Sequence, residues 1–271
     1  MEKYILSHES AVRLSVFLGV FFIMAAWEGL HATRPQTLTR RSRWPHNILL
    51  VVVNTLLMRL IFPVFPLGVA IWADTHGWGL LNLIQLPDSL AIILALLVLD
   101  LAIYTQHVLF HFVPVLWRLH RVHHADTEID VTTGSRFHPI EIALSMAIKM
   151  VLVAILGVPP VAIVLFEVIL NGAAMFNHAN VSLPATADRV LRWVVVTPDM
   201  HRVHHSELVD ETNSNYGFNV PWWDRLFATY RDQPRQGHGG MTIGLPIFRS
   251  RTEVRLDRLL TQPFRSDGTS S

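Results

Sequence analysis

The sequence predicts an all-α integral membrane protein with about four transmembrane helices, one pair of which forms a hairpin. Of its 271 residues, 51% are apolar and only 16% are charged, and the mean hydropathy is +0.36. The chain is therefore more apolar than a typical soluble domain. Its apolar residues are also gathered in long runs, and a helix of roughly 20 such residues crosses a bilayer core of about 30 Å.

Four apolar runs are long enough to enter a bilayer, and they cover residues 11–27, residues 48–73, residues 89–112, and the double run 142–156 and 161–176. The first run is not followed by a small-residue cleavage site, which favours a retained anchor over a removed signal peptide. Pro63 and Pro66 interrupt the second run. The sequence GVPP at 157–160 divides the last run, and because consecutive prolines cannot continue a helix we expect a hairpin there. Its arms are slightly short for a straight crossing, so a re-entrant hairpin is the alternative.

Arginine placement predicts which side of the membrane the loops face. The loop 34–43 carries four arginines, which places it in the cytoplasm by the positive-inside rule. Counting crossings from this loop puts residues 113–141 and 177–271 on the same side, where we expect a helical cap. The predicted organisation is a single membrane domain, 1–271, with N-terminal transmembrane helices at 1–85, a histidine-rich region that carries the site at 86–232, and a C-terminal cytoplasmic tail at 233–271.

Composition excludes several classes of function. The net charge of +1 and the lack of a basic stripe argue against a nucleic-acid partner. The chain has no cysteine, which excludes disulfides, thiolate zinc sites, iron–sulfur clusters and a cysteine nucleophile. Any bound metal must therefore be held by nitrogen or oxygen.

Histidine motifs dominate the predicted cap. HVLFH occurs at 107–111, and HRVHH occurs twice, at 120–124 and at 201–205. Positions i, i+3 and i+4 of a helix share one face, so each motif offers two or three imidazoles in one direction. The topology above, which was built without using histidine, brings both copies of HRVHH to the same side of the membrane.

Local signals predict how these motifs are held. The residues His107 and His111 fall at the cytoplasmic end of the third apolar run, and Pro114 allows the chain to turn the next helix back toward them. Thr197 is a suitable N-cap and Pro198 a suitable first helical residue just before the second HRVHH.

The number of histidines predicts two metal ions. A tetrahedral zinc site needs four ligands and a catalytic one three, whereas eight to ten imidazoles are available here. Imidazole suits iron, zinc, copper or nickel, and the spacing alone does not select among them. Lone histidines usually make hydrogen bonds instead, and we set these aside: His8, His31, His46, His76 and His238. The candidate metal ligands are His107, His111, His120, His123, His124, His138, His178, His201, His204 and His205.

With the stretches TTGSRFHPIE at 132–141 and HRVHHSELVDETNSNYGFNVPWWDRLFATY at 201–230, these motifs resemble the fatty acid hydroxylase / sterol desaturase superfamily of membrane non-haem di-iron oxidoreductases. The likeness covers about residues 90–230. It implies that two irons and O₂ oxidise a C–H bond of a lipid such as a sterol or fatty acyl chain, by hydroxylation or desaturation. The resemblance also implies that nine of the ten histidines are metal ligands and that His138 is either a ligand or a supporting residue. Ala228 is a departure, because relatives often read WDRLFGT there.

Other residues are predicted to support the site. Ligand imidazoles need an acceptor for their second N–H, and the local carboxylates, each weighed against a solvated surface charge, are Asp126, Glu128, Glu141, Asp199, Glu207, Asp210 and Asp224. Asn215 and Tyr216 are predicted to be either site-wall or turn residues. Trp222 and Trp223 are predicted to be anchors at the membrane interface.

The partners and the alternatives follow from what the sequence lacks. It has no dinucleotide-binding or haem-attachment motif, so oxidation requires a separate electron donor such as a reductase, a ferredoxin or a cytochrome b5-like protein. One alternative is a membrane zinc-dependent hydrolase, although no HExxH motif occurs. Another is a metal transporter or haem electron carrier, for which the histidines are gathered too closely at one end.

Overall fold

The computed structural model describes residues 2–84 and 86–266, and over these residues the chain is helical and forms no β-strand. The all-α prediction is confirmed. The α-helices are α1 (Glu2–Ser7), α2 (Glu9–His31), α3 (Arg40–Ile61), α4 (Pro66–Thr75), α5 (Leu80–Leu83), α6 (Asp88–Phe112), α7 (Pro114–His124), α8 (Pro139–Leu156), α9 (Pro160–Asn177), α10 (Ala185–Leu191), α11 (Pro198–His204), α12 (Val209–Thr212), α13 (Trp222–Leu226), α14 (Gly237–Gly240) and α15 (Leu256–Thr261). Short 3₁₀ turns lie at Thr133–Ser135, Arg251–Val254 and Gln262–Phe264.

Five helical segments are long and apolar enough to cross a membrane, and the protein is an integral membrane protein. They are Glu9–His31, Arg40–Leu83, Asp88–Phe112, Pro139–Leu156 and Pro160–Asn177. Each apolar run of the sequence is therefore helical, and the double run provides two helices. The number of helices that span the bilayer and their orientation remain predictions.

The predicted breaks in the helices are confirmed. α3 ends at Ile61 and α4 begins at Pro66, on either side of Pro63. α6 ends at Phe112 and α7 begins at Pro114, so the chain folds back at that proline.

The hairpin of α8 and α9 turns at Gly157, which has a φ of +65°. A Cβ atom at this position would lie 2.4 Å from the carbonyl oxygen of Trp78. The turn thus requires glycine both for its left-handed backbone and for the close approach of the preceding loop.

Small residues allow the apolar helices to pack closely. Ala70, Ala95 and Ala162 are fully buried where α4, α6 and α9 meet, and Leu99 and Phe166 complete this core. Helices in a bilayer associate mainly through such van der Waals packing and polar contacts, because lipid is as apolar as their side chains.

Charged residues inside the apolar helices are paired. Glu167 on α9 accepts an ion pair from Lys149 on α8 at 2.9 Å and another from Arg13 on α2 at 2.9 Å. These contacts join three helices and satisfy charges that would otherwise be costly within lipid.

The C-terminal segment packs against the first HRVHH helix. Leu259 of α15 is buried with Leu50 of α3 and Val122 of α7. The guanidinium of Arg118 donates to the carbonyl oxygens of Pro263 and Arg265 at 2.7 and 2.9 Å. The described part of residues 233–271 therefore forms one face of the cap.

Candidate metal site

Nine histidines meet at the end of α6 in two adjacent groups, in each of which the ligand-capable atoms all lie within 4.8 Å of one another. The five-histidine group comprises His107, His111, His120, His124 and His204. The four-histidine group comprises His123, His178, His201 and His205. The structure thus brings together nine of the ten sequence-predicted residues.

Each HRVHH motif contributes to both groups. In the first copy the i,i+4 pair His120 and His124 belongs to the five-histidine group, and His123 belongs to the other. In the second copy the assignment is reversed, since His201 and His205 belong to the four-histidine group and His204 to the five-histidine group. The three imidazoles of each motif thus point toward the same cluster but are divided between its two groups, because neighbouring helical residues are about 100° apart. The repeated motif is the means by which two short helices hold both groups.

Local sequence explains how the second motif is positioned. The hydroxyl of Thr197 accepts a hydrogen bond from the Met200 amide at 3.4 Å, and Pro198 is the first residue of α11, as predicted. His178 is positioned by α9, because that helix ends at Asn177 and His178 is its C-cap residue.

The outer ring nitrogens of several clustered histidines face hydrogen-bond acceptors. His107 Nδ1 lies 2.7 Å from the Tyr216 carbonyl oxygen, and His204 Nδ1 lies 2.7 Å from that of Ser214. His178 Nδ1 lies 2.6 Å from the Ala174 carbonyl oxygen. A carbonyl oxygen only accepts hydrogen bonds, so each of these Nδ1 atoms carries the proton and each Nε2 presents a lone pair.

These lone pairs face one another across distances suited to a cation. His204 Nε2 lies 3.0 Å from His107 Nε2, and His201 Nε2 lies 2.9 Å from His178 Nε2. His107 and His204 both carry the proton on Nδ1, so their Nε2 atoms cannot hydrogen-bond to each other, and a shared positive ion would satisfy both lone pairs. Ligands about 2.1 Å from one ion lie about 3.0 Å apart at a right angle and about 3.4 Å apart at a tetrahedral angle. The observed separations lie close to the range for two nitrogens bound to one ion.

Burial keeps the imidazoles neutral. It lowers the pKa of His120 and of His178 to about 3. Burial and then the neighbouring imidazoles lower the pKa well below its ordinary value for His123, His124, His201, His204 and His205. A neutral imidazole is the form that binds metal. The residues present therefore fit a pair of metal ions.

His138 lies outside both groups. Its Nδ1 accepts a hydrogen bond from the Ile140 amide at 3.2 Å and thereby caps α8, and its Nε2 lies 3.2 Å from the Leu260 carbonyl oxygen. The five lone histidines set aside from the sequence are also absent from both groups.

Of the seven local carboxylates, Glu141 alone contacts one of the nine imidazoles within the described residues, with its Oε1 2.6 Å from His120 Nδ1. Asp126 instead pairs with Arg43 at 2.7 Å and with Arg136 at 3.2 Å. The remaining five make these contacts: Glu128 with the amides of Thr37 and Leu38, Asp199 with Arg202, Glu207 with Arg249, Asp210 with Arg231 and Arg235, and Asp224 with the amides of Tyr216 and Gly217.

The loop after α12 supplies one wall of the site. The ring of Tyr216 lies 5.0 Å from that of His111 and 5.6 Å from that of His107, between centroids. Asn215 has a φ of +51° and its side-chain amide donates to the Met200 and Arg231 carbonyls. Both predicted roles are thus present, with Tyr216 at the wall and Asn215 in the turn. Asp224 fixes this turn through its bond to the Tyr216 amide.

Sequence reasoning missed several polar partners of the ligands. His111 Nδ1 lies 3.2 Å from the side-chain oxygen of Asn213, and the hydroxyl of Thr212 donates to the His204 carbonyl at 2.9 Å. Backbone carbonyls carry no residue-specific signal, but Asn213 lies within the quoted motif and could have been named as an acceptor.

Residues 92–229, about half of the chain, match the family described as fatty acid hydroxylase. The chain belongs to the fatty acid hydroxylase family. The resemblance drawn from the histidine motifs is thereby confirmed, and the matched region of this family member contains all nine clustered histidines.

Curated relatives of this fatty acid hydroxylase family member are lipid hydroxylases and monooxygenases. The ornithine lipid hydroxylase OlsE of Rhizobium tropici is 30% identical over 63% of this chain and 51% of its own length. The alkylglycerol monooxygenase of Xenopus tropicalis is 27% identical over 67% of this chain and 40% of its own, and the cholesterol 25-hydroxylase of Rattus norvegicus is 28% identical over 66% and 60%. The chain thus spans about half the length of the curated relatives it matches. No solved structure matches it significantly.

Proposed function

We propose that this protein is a membrane lipid hydroxylase that uses O₂ to oxidise a C–H bond at a pair of irons held by nine imidazoles. The observation that carries the proposal is the convergence of buried Nε2 atoms in two adjacent groups, each with more nitrogens than a catalytic zinc site uses. Family membership supports iron as the metal, and the donor set is compatible with it.

In this proposal the bound irons supply O₂ activation and abstraction of a substrate hydrogen, and the chain supplies ligands, orientation and exclusion of water. The five-histidine and four-histidine groups hold one iron each. Glu141 and the carbonyls of Tyr216, Ser214 and Ala174 fix the imidazole rings, so that the Nε2 lone pairs already point inward. Burial of all nine rings leaves water little access to the centre.

Hydroxylation needs an electron donor. The balanced reaction is R–H + O₂ + 2 e⁻ + 2 H⁺ → R–OH + H₂O, so two electrons must come from a second protein such as a reductase, a ferredoxin or a cytochrome b5-like protein. The names of the relatives favour hydroxylation over desaturation. Desaturation requires the same two electrons but releases both oxygen atoms as water, and an oxygen label therefore distinguishes the two.

The position of the site supports a lipid substrate and a cytoplasmic location. His107 and His111 lie in the last turns of an apolar helix whose Leu109 and Phe112 are exposed on its surface. Arg43, from the arginine-rich end of α3, pairs with Asp126 directly after the first HRVHH motif. The arginine-rich segment thus lies on the histidine side, which is the cytoplasmic side by the positive-inside rule.

The alternatives fit the site less well. A zinc hydrolase needs a carboxylate base facing its metal-bound water, whereas neither group contains a carboxylate among the described residues, and Glu141 lies behind His120. A bis-histidine haem needs an open slot between two imidazoles, and here three or more rings crowd around each one. A transporter needs polar groups along a path through the helices, whereas the histidines here are gathered at one end of α6.

The test combines metal analysis of the purified protein in lipid nanodiscs with an isotope experiment in cells that express it. Purified protein should contain two irons per chain, and cells that express it under ¹⁸O₂ should accumulate a lipid bearing one ¹⁸O atom. The His204→Ala variant should accumulate none. One tightly bound zinc without iron would overturn the iron centre, whereas two irons with an unlabelled, more unsaturated lipid would replace hydroxylation by desaturation.

A further inference from the structure

Large apolar side chains are exposed on the cap, outside the five apolar helices. Others, such as Val115, Val209 and Phe264, lie elsewhere, but seven of those in the described residues lie in two short segments, residues 190–194 and residues 222–227, which we name the apolar ledge. Leu226 is 68% exposed, Trp193 59% and Val194 54%. The other exposed apolar residues of the ledge are Val190, Leu191, Trp222 and Phe227. So much contiguous apolar surface normally marks a contact with a partner or a membrane.

The two segments form one surface. The indole Nε1 of Trp222 donates to the Trp193 carbonyl oxygen at 2.7 Å. The guanidinium of Arg225 stacks over the Trp193 ring at 3.9 Å and donates to the Arg192 carbonyl oxygen at 3.1 Å. Contacts from both segments therefore hold the ledge in a fixed shape.

The ledge is attached to α6 at the middle of that helix. The Trp223 indole donates to Asp100 at 2.8 Å, and the Asn219 amide donates to the same carboxylate at 2.7 Å. Asp100 is the central residue of the 25-residue α6, and at 1.5 Å per residue it lies roughly 18 Å from either end. The ring of Phe227 stacks on that of Tyr104, one turn further along α6. These contacts place the ledge deeper along α6 than His107 and His111.

A surface at that depth faces lipid. α6 is apolar enough to cross a membrane, and its exposed Ile93 lies two helical turns from Asp100 on the same face of the helix. The ledge continues this apolar surface. Arg192, at the polar edge of the ledge, is buried and paired with Asp188 and Asp232, so its charge is compensated where the ledge meets the rest of the cap.

We propose that the apolar ledge is immersed in the hydrocarbon of the leaflet on the histidine side, beside α6, as an in-plane membrane element. The proposal does not depend on the reaction that the site performs. It assigns lipid acyl chains, and neither a second copy of the chain nor another protein, as the occupant of this surface.

The absence of cysteine allows a direct test, because a single introduced cysteine can be spin-labelled without removing any other. Leu226→Cys and Val194→Cys would report on the ledge in phosphatidylcholine nanodiscs. Ile93→Cys on α6 is the lipid-facing control, and Arg251→Cys, which is exposed on the cap, is the aqueous control. The measurement is collision of the label with O₂, which concentrates in lipid, relative to a water-soluble nickel chelate.

The expected result is that both ledge positions match Ile93→Cys, with an O₂-to-nickel ratio several-fold above that of Arg251→Cys. A ratio equal to that of Arg251→Cys would overturn the proposal, and so would labels that neither reagent reaches, since these indicate a protein contact. Quenching of tryptophan fluorescence by chain-brominated lipid, compared between wild type and Trp193→Phe, tests the same claim without cysteine. A contribution of Trp193 to the quenched signal is expected, and its absence would count against immersion.

Discussion

His120 on α7 and Glu141 on α8 are joined by a 2.6 Å hydrogen bond from Nδ1 to Oε1, and both residues are buried. The bond fixes the proton on Nδ1 and turns the Nε2 lone pair of His120 toward His107, 3.1 Å away. It is a contact between a carboxylate and a ligand histidine of the kind that supports many metal centres.

Glu141→Gln should weaken metal binding at the five-histidine group. Glutamine keeps an oxygen acceptor for the Nδ1–H of His120 but is a weaker acceptor than a carboxyl group that shares this proton, so the imidazole becomes a weaker ligand. Loss of such a supporting partner costs about 10- to 100-fold in metal affinity, and because an acceptor remains we expect about 10-fold. The measurement is competition between the protein and a chelator of known iron affinity.

Glu207→Gln is the matched control for that experiment. Glu207 follows the second HRVHH motif, and its nearest cationic group, on Arg249, is 3.9 Å away. Its substitution should leave iron affinity unchanged. Equal affinities in the two variants would show that Glu141 has no supporting role.

Single ligand substitutions should empty the two groups separately. His204→Ala removes a member of the five-histidine group and His178→Ala a member of the four-histidine group. We expect each variant to lose one of two irons, because the other group keeps all its imidazoles. Iron per chain, measured on protein purified in detergent, checks this expectation.

His138→Ala provides the control and also decides the role of His138. It caps α8 and lies outside both groups, so the variant should keep both irons and lose only about 1 kcal/mol of stability through the missing cap. Loss of one iron from His138→Ala would instead make this residue a ligand.

The parts of the fold that depend on local chemistry could be predicted. Pro114 separates α6 from α7, and Thr197 with Pro198 begins α11, because these residues act on the backbone beside them. The turn at GVPP depends on proline in the same way. The apolar runs also indicate helices without any knowledge of how these helices pack.

The division of each HRVHH between two groups could not be predicted, because it depends on how α7 and α11 are rotated toward each other. The same limit applies to the carbonyl of Tyr216, which any residue could supply to His107. The pairing of Arg43 with Asp126 could not be predicted either, because the two residues lie far apart in the chain. The sequence indicates only that Arg43 is one of four arginines in 34–43 and that Asp126 is a candidate acceptor for histidine.

Arg43→Met should destabilise the protein strongly. Arg43 is fully buried and pairs with Asp126 at 2.7 Å and Asp130 at 2.5 Å. Methionine would leave two buried carboxylates with less positive charge beside them. Removing one partner of a buried ion pair costs about 3 to 5 kcal/mol. The free energy of unfolding by denaturant in detergent measures the loss.

Arg41→Met removes the same charge two residues earlier, from an exposed side chain. It should change the free energy of unfolding by no more than about 0.5 kcal/mol. If the two variants were equally stable, the buried ion pairs of Arg43 would contribute nothing beyond a surface charge.

Ala228→Gly should stabilise the protein. Ala228 has a φ of +56°, in the left-handed region where a Cβ atom costs about 1 to 2 kcal/mol. Glycine removes this strain but loses more backbone entropy on folding, about 0.5 to 1 kcal/mol, so we expect a net gain in stability of roughly 0.5 to 1 kcal/mol.

The control is Ala187→Gly inside α10, where the same substitution relieves no strain and should destabilise by about 1 kcal/mol. Melting temperatures of the two variants should therefore move in opposite directions, at unchanged iron content. A lower melting temperature for Ala228→Gly would mean that the backbone at this position is held without strain.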